Sequence, residues 1–556
     1  MRFETSDVVV IGGGAAGVFA SIAAAKGGAK VILLTGRSFG YSGSSFTPLS
    51  MGWGISAATG YQDRTDSPKV HFSDIETAAA GMFIPELAEI LVNEAPDFVE
   101  ELKDMGIPLR PVEICTCFNT KPRAFRAYDV SAVRAVFGQQ LHTRGIQVID
   151  NCRALDLLVD DEGYRGVIAK QYGSASGNQA EHILISSSTC ILASGGAGGM
   201  FKYNLTTGEV MGDGHAMALR AGARLTNFEF IQFAFGVTSP MLKALFPEAF
   251  FAYCPRLINS EGVDIAAKYF TPQEYASLCE QRATHAPYTS RFDSCAIDRA
   301  IYKEIIDGRA RPGGGILVDL SVRSKSELES GRLGHWVEWY KNRGVDIYYE
   351  GVEIAPFVQA FNGGILINQK GETDVKRLYA CGEIAAGPHG ADRVGGNMMA
   401  TTMVFGTRAG KHAAELASTD KRVMSENDAK RLIGGEHTQS TGRLDYDKEI
   451  LQIKQAMYDY CGIERDAKHL QAAEEALTKM YEGLPVGQGF ELGNCITTAR
   501  AVIASALARK ESRGSHYRSD YPHPDDSEFG RRIETRMDRE SGQLICKLSE
   551  NPPNNP

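Results

Sequence analysis

Gly12, Gly14 and Gly17 are spaced Gly-x-Gly-x-x-Gly. They follow the β-branched run Asp7–Ile11 and precede an alanine-rich stretch that reaches about Lys26. Glycines in that pattern let a chain turn sharply from strand to helix and let its backbone approach a pyrophosphate. The helix start then supplies N–H donors and partial positive charge. The chemistry implied is dinucleotide binding. An NAD site would place an acid roughly 20 residues on, at the end of the second strand. Thr35 stands there instead, followed by Gly36 and Arg37, which argues against NAD. Leu192-Ala193-Ser194-Gly195-Gly196 is a hydrophobic strand ending in small residues, suited to a chain passing close to a cofactor. Gly212-Asp213-Gly214 opens a helix over Ala216–Ala221 with an acid at its start. Leu378 to Glu383 is a strand ending in Gly-Glu. The glycine-rich run His389–Asn397 then opens a helix from about Met399 to Leu416.

These segments need a scaffold. Asp7–Ile11, the alanine-rich helix and Lys30–Leu34 form the opening βαβ unit of a doubly wound sheet. Residues 85–106 read as an amphipathic helix, with Leu87, Ile90, Leu91, Ala95 and Phe98 on one side. Residues 147–195 alternate short strands and turns, a meander expected to lie over the nucleotide-binding sheet. From about 237 to 345 the chain is richer in aromatic and charged residues and reads as an insertion. From 346 to 412 the glycine-rich strand-and-helix texture returns. Beyond about 420 the chain is charged and helical, and Asn551–Pro556 is expected to be disordered.

The formal net charge of −9 argues against nucleic acid or an anionic membrane as partner, since both favour basic surfaces. The 11 cysteines include no CxxC pair, so neither a zinc site nor a cysteine-ligated iron–sulfur cluster is expected, and no metal. A reduced cytoplasmic protein fits that usage. Val8–Ala25 is uncharged and long enough for a crude membrane-span test. Gly12, Gly13, Gly14 and Gly17 interrupt it and no basic stretch precedes it, so neither a signal peptide nor a membrane span is expected.

Taken in order, the motifs resemble the flavoprotein family of fumarate reductase, succinate dehydrogenase and L-aspartate oxidase. Gly212–Ala223 is similar to the family's TGDGIAMAxRAGA, Phe228-Glu229-Phe230-Ile231-Gln232-Phe233 to MEFxQF, His389–Asn397 to HGANRLGGN, and Glu511–Pro522 to ESRGAHYRxDYP. The resemblance spans most of residues 7–525. It implies an α/β protein with a Rossmann-like FAD-binding domain (1–236 and 346–419), an inserted α+β capping domain (237–345) and a helical C-terminal domain with a disordered tail (420–556). It implies FAD held by Gly12, Gly14, Gly17, Thr35, Arg37, Ser44, Asp213, Glu383, Asn397 and Met399, with Ala16, Gly36, Ala193 and Gly195 completing the set. Glu383 would hold ribityl hydroxyls. Succinate dehydrogenase-type members join FAD covalently to a histidine just after the second strand. Ser44 stands at that place, so noncovalent FAD is expected.

The substrate residues depart from the family. EFxQF normally continues His-Pro-Thr and here continues Ala234-Phe235-Gly236. The family's His-Tyr before Gly-Gly is Gln359-Ala360. The cap's Pro-Arg-Asp, whose arginine delivers a proton, has no clean match. Arg291 is the nearest candidate, and Ser294 is an equal alternative for that place. Arg393 remains in the loop that contacts a substrate carboxylate, and its rigid fork suits bidentate grip. The expectation is an FAD-dependent oxidoreductase acting on a small carboxylate-bearing substrate other than succinate or fumarate. Arg393 would be its anchor, Arg291 the proton donor or acceptor, and Gln359, Ala234 and Phe235 pocket wall. The alternatives are an L-aspartate oxidase-like amino acid oxidase, a flavoprotein that pairs with an iron–sulfur electron-transfer protein, and a flavoprotein acting on tRNA, which the net charge disfavours.

Overall fold

The computed structural model describes residues 1–46, 52–112, 117–173, 180–241, 243–330, 333–433, 446–484 and 490–550. The expected disordered tail, Asn551–Pro556, lies outside them.

Arg2–Ile11 is fully interior along Val8, Val9 and Val10, as a strand covered on both faces must be. It pairs in parallel with Val31–Leu34 on one side and Glu181–Leu192 on the other. The seven-stranded sheet continues to Gln147–Ile149 beyond Val31–Leu34. Beyond Glu181–Leu192 come Gly163–Gln171 and then Cys152–Asp160, both antiparallel. The strands expected to lie over the sheet are thus part of it. Within that stretch Glu181–Leu192 is one unbroken strand of 12 residues. Its first half pairs with Gly163–Gln171 and its second half with Leu378–Ala380. That single strand therefore delivers Ala193–Gly196 beside the Gly12–Gly17 turn and brings Gly382-Glu383 alongside.

The helix Ala15–Lys26 packs on the helix Asn397–Thr419. The contact is close because Gly406 and Gly410 face the Ala16 and Ala20 backbone, and a Cβ at Gly410 would sit 2.2 Å from Ala20 O.

A five-stranded antiparallel sheet is rooted in the long pair Ile231–Ser239 and Val352–Phe361. It carries Ala244–Leu245, Ile316–Asp319 and Arg256–Ile258, with helices such as Pro272–Arg282 and Cys295–Glu304 packed on it. In the long pair Gln232 faces Ala360 while Phe233 faces Val358, so Gln359 is an extra, bulged residue. A bulge re-aims its side chain.

The C-terminal part packs helices Tyr446–Cys461, Ala467–Glu482 and Phe490–Ala508. It is not helical throughout: the hairpin Ile533–Met537 and Leu544–Leu548 joins Leu225–Thr226 and Gly364–Ile365 in a four-stranded sheet. Among the described residues no helix is long and apolar enough to cross a membrane, and no cluster suits a metal ion.

Candidate active site

A cavity of about 570 Å³ opens where these elements converge. Gly12, Gly13 and Gly14 form one wall, with the unrelated chain segments Ala193–Gly195, Gly212-Asp213 and Gly395-Gly396 around it. A Cβ at Gly43 or Gly54 would meet nothing within 4 Å, and one at Gly14 would meet only Ser45 Oγ at 3.4 Å. The walls are backbone, and the space beside them is the cavity itself. A long ligand that makes its contacts to main chain fits such a cradle. The helix Ala15–Lys26 points its N-terminus into it.

Acids stand where hydroxyl groups can donate to them. Glu383 is half-buried and accepts from Phe361 N at 3.1 Å. Burial raises its pKa. Gly196 has no side chain for a spatial reason, since a Cβ there would sit 2.3 Å from Glu383 Oε1. Asp213 is held by Arg153 through Nη2–Oδ1 at 2.9 Å and Nε–Oδ2 at 3.0 Å.

Of the residues expected to hold the cofactor, Gly12, Gly14, Ala16, Gly36, Ser44, Ala193, Gly195, Asp213, Glu383 and Met399 line the cavity. Four do not. Gly17 sits inside the turn, where a Cβ would lie 1.8 Å from Gly12 O. Thr35 is fully buried behind Gly13. The Arg37 side chain turns outward, 60% exposed, and pairs with Glu209, which does line the cavity. Asn397 caps no cavity wall; its Oδ1 lies 2.8 Å from His71 Nε2.

At the other end of the cavity Arg393, Gln359, Ala234, Leu245, Ala286, Cys117 and Glu248 form the walls. Arg393 is 9% exposed. Its Nε donates to Gln232 Oε1 at 2.8 Å and its Nη1 to Val394 O at 3.2 Å. No carboxylate lies within ion-pair range of it among the described residues, so a buried cation faces the cavity without a counter-ion. Its pKa is lowered by burial, and a bound anion would restore what burial removes. The nearby His389 is buried and its pKa falls to about 3, from burial and from Arg393, so it is neutral and plays no part in the cavity wall.

Two expectations about this end are corrected. Phe235 follows Ala234 on a strand, and successive side chains point to opposite faces. Ala234 faces the cavity, while Phe235 packs against Phe251 at 5.5 Å between ring centroids and under the Arg282 guanidinium at 5.1 Å. Arg291 is outside the cavity. It donates to Thr77 O and lies 3.9 Å from Asp392. The alternative, Ser294, is buried on His285 Nε2 at 2.8 Å, also away from the cavity wall.

Glu248 was not legible in the sequence, lying in a region without a motif. It is 7% exposed, and its Oε1 makes no hydrogen bond among the described residues. Burial raises its pKa to about 7, against the pull of Arg282, whose Nη2 is 3.7 Å away. Arg282 is itself clamped on Asp298. Gln232, Cys117, Arg153 and Trp53 were also missed as site residues. Only Gln232 sat in a motif, the Glu-Phe-x-Gln-Phe run, whose spacing carries its amide to Arg393.

Comparison with known proteins adds to this geometry. A profile of the FAD binding domain matches residues 7–399, and one of the fumarate reductase flavoprotein C-terminal region matches 450–551. The chain is 33% identical to a chain of the fumarate reductase (CoM/CoB) of Methanothermobacter marburgensis, over 93% of this chain and 94% of that one. It is 28% identical to L-aspartate oxidase of Caulobacter vibrioides, over 94% and 95%. Sdh1 of Mycobacterium smegmatis in complex with UQ1 superposes with a TM-score of 0.83 at 26% identity, covering 99% and 96% of the two chains. Escherichia coli quinol fumarate reductase superposes at 0.79 with 25% identity, over 100% and 99%. The chain belongs to the flavoprotein family of fumarate reductases, succinate dehydrogenases and L-aspartate oxidases. It is an FAD-dependent oxidoreductase.

Ser44 lines the cavity, and the motif resemblance sets it at the place of the histidine that covalent members carry. Acid precipitation is expected to release all of the flavin into the supernatant. Flavin absorbance remaining with the pelleted polypeptide would show an attachment elsewhere.

Proposed function

We propose that this enzyme oxidises or reduces a small monocarboxylate, with the carboxylate on Arg393 and the reacting carbons beside the flavin. FAD supplies the two-electron step; the protein binds, orients and handles the proton. The observation that carries the reading is the wall opposite Arg393. It presents Ala234, Leu245, Ala286, Gln359 and the carboxyl of Glu248, and the guanidinium behind that carboxyl, Arg282, is already engaged by Asp298 and Glu248. A monocarboxylate meets one charge with one charge. The second carboxylate of a dicarboxylate would be buried beside Glu248 without a partner, at a cost of roughly 3–5 kcal/mol. An electron-transfer partner completes the cycle.

A second reading takes the dicarboxylate or aspartate implied by the names of the relatives, and one titration separates the two. Crotonate, a four-carbon enoate with one carboxylate, is expected to perturb the spectrum of the bound flavin, and fumarate to leave it unchanged. Fumarate turnover with a reduced dye on the order of 10 per second would defeat the monocarboxylate reading.

A further inference from the structure

Cys117 stands in the substrate end of the cavity, on a segment with no part in the glycine motifs. Its carbonyl accepts from Gly395 N at 2.8 Å, two residues from Arg393, and the neighbouring Asn119 Nδ2 donates to Gly395 O at 3.2 Å. Asn119 Oδ1 is fixed in turn by Arg123 Nη1 at 2.7 Å, and Arg123 is buried in a clamp with Asp66 and Asp74. The thiol is therefore placed by a rigid, polar scaffold next to the Arg393 loop. Around it stand the Ala286 N–H, which is set to bond its sulfur, with Glu248, Arg393 and Arg282 as the charged groups that face it. Two buried polar groups at this wall lack the partners their chemistry asks for: Arg393 has no counter-ion and Glu248 Oε1 has no hydrogen bond among the described residues.

Resting on the monocarboxylate reading, we propose that Cys117 is the residue that exchanges the substrate proton, with its thiol facing the carbon chain of the acid held by Arg393 and Glu248 renewing it. In the reducing direction one carbon of the double bond takes the hydride supplied with the cofactor. Its neighbour takes H⁺ from Sγ: the S–H bond breaks, a C–H bond forms, and the electron pair of the double bond is used. The thiolate left behind takes a proton from Glu248, which recovers one from water. The protonation states suit the order of transfer. Burial, with Glu248, pushes the thiol up to about 11, so sulfur carries its proton at neutral pH. The Glu248 carboxyl, at about 7, is a proton store that fills and empties there. Arg291, expected to have this role, is too far outside the cavity to take it.

The test reads the thiol directly. Holoenzyme carrying Glu248→Gln, which removes the anion that forms in this chamber above about pH 7, is treated at alkaline pH with iodoacetate, which carries a carboxylate, or with iodoacetamide, which does not, and Cys117 is followed by peptide mass spectrometry. Relative to a free thiol under the same conditions, Cys117 is expected to favour iodoacetate by about tenfold or more, the worth of one charge-assisted pair. The preference should vanish in Arg393→Gln, and crotonate should slow the labelling. In parallel, Cys117→Ala should keep its flavin and its crotonate affinity while crotonate reduction falls by about 10²–10⁴, with Cys117→Ser between. An unlabelled Cys117, labelling indifferent to Arg393, or Cys117→Ala turning over within about threefold of the parent would each overturn the assignment. If fumarate proves to be the substrate, the monocarboxylate reading falls, and the Arg393-dependence of labelling still decides the place of Cys117.

Discussion

Gly17→Val protein is expected to lose both its flavin and the native opening turn, whereas Gly14→Val should lose only the flavin. The two glycines belong to one motif but meet different neighbours. A Cβ at Gly17 would lie 1.8 Å from Gly12 O and 3.0 Å from Gly12 C, and backbone cannot move aside as a flexible side chain does. Gly12 cannot yield either: its φ of +116° is open to glycine, and a Cβ there would lie 2.3 Å from Ala193 O. Valine at 17 must therefore separate the first strand from its helix, or the helix from the sheet. The whole net stability of a folded protein is about 5–15 kcal/mol, and a clash of this kind takes a large part of it. Gly14 has only Ser45 Oγ at 3.4 Å and otherwise faces the cavity, so its variant folds and blocks the ligand. Circular dichroism and the ratio of visible to ultraviolet absorbance distinguish the outcomes. A yellow Gly17→Val protein with full flavin content would show that the turn can rearrange. A yellow Gly14→Val protein would show that this backbone does not abut the cofactor.

The parts of the molecule legible in the sequence are those where local chemistry and position coincide. Gly12 and Gly14, Asp213 and Glu383 are read from single segments because each is placed by the strand or helix that it ends or begins. Phe235 was misjudged because a motif fixes position along a strand and not the face, and one-residue alternation turned it onto Arg282. Gln359 reaches the cavity through a bulge, which no periodicity announces. Arg37 and Asn397 occupy their motif places, yet their side chains are claimed by Glu209 and His71. Glu248 and Cys117 come from segments more than 100 residues apart in sequence, joined only by tertiary packing. Neither carries a local signal. The meander was misplaced because a strand that pairs in parallel with the first strand and antiparallel with its own hairpin partner reads the same in either location.

Arg393→Ala is expected to weaken crotonate binding about ten- to hundredfold, corresponding to the roughly 1.5–3 kcal/mol of a charge-assisted hydrogen bond. Arg291→Ala should leave it unchanged. Arg393 is buried, has no counter-ion among the described residues, and lines the cavity; Arg291 is bonded to Thr77 and sits near Asp392 outside it. Lysine at 393 should restore only part of the affinity, since it keeps the charge and loses the fork that Gln232 orients. The affinity should also depend on pH with a definite sign. Glu248 has its pKa raised to about 7. Below that pH it is neutral and leaves the Arg393 charge to the ligand. As pH rises through about 7 it becomes an anion in the same chamber, competes for the field of Arg393 and repels a carboxylate. Crotonate affinity should therefore fall from about pH 6 towards about pH 8, and Glu248→Gln should flatten that profile while leaving the low-pH affinity nearly unchanged. Titration of the bound-flavin spectrum at each pH measures all of these quantities. Equal affinity in the parent and in Arg393→Ala would remove the carboxylate anchor from the site. A flat profile in the parent would show that Glu248 does not share the ligand's chamber.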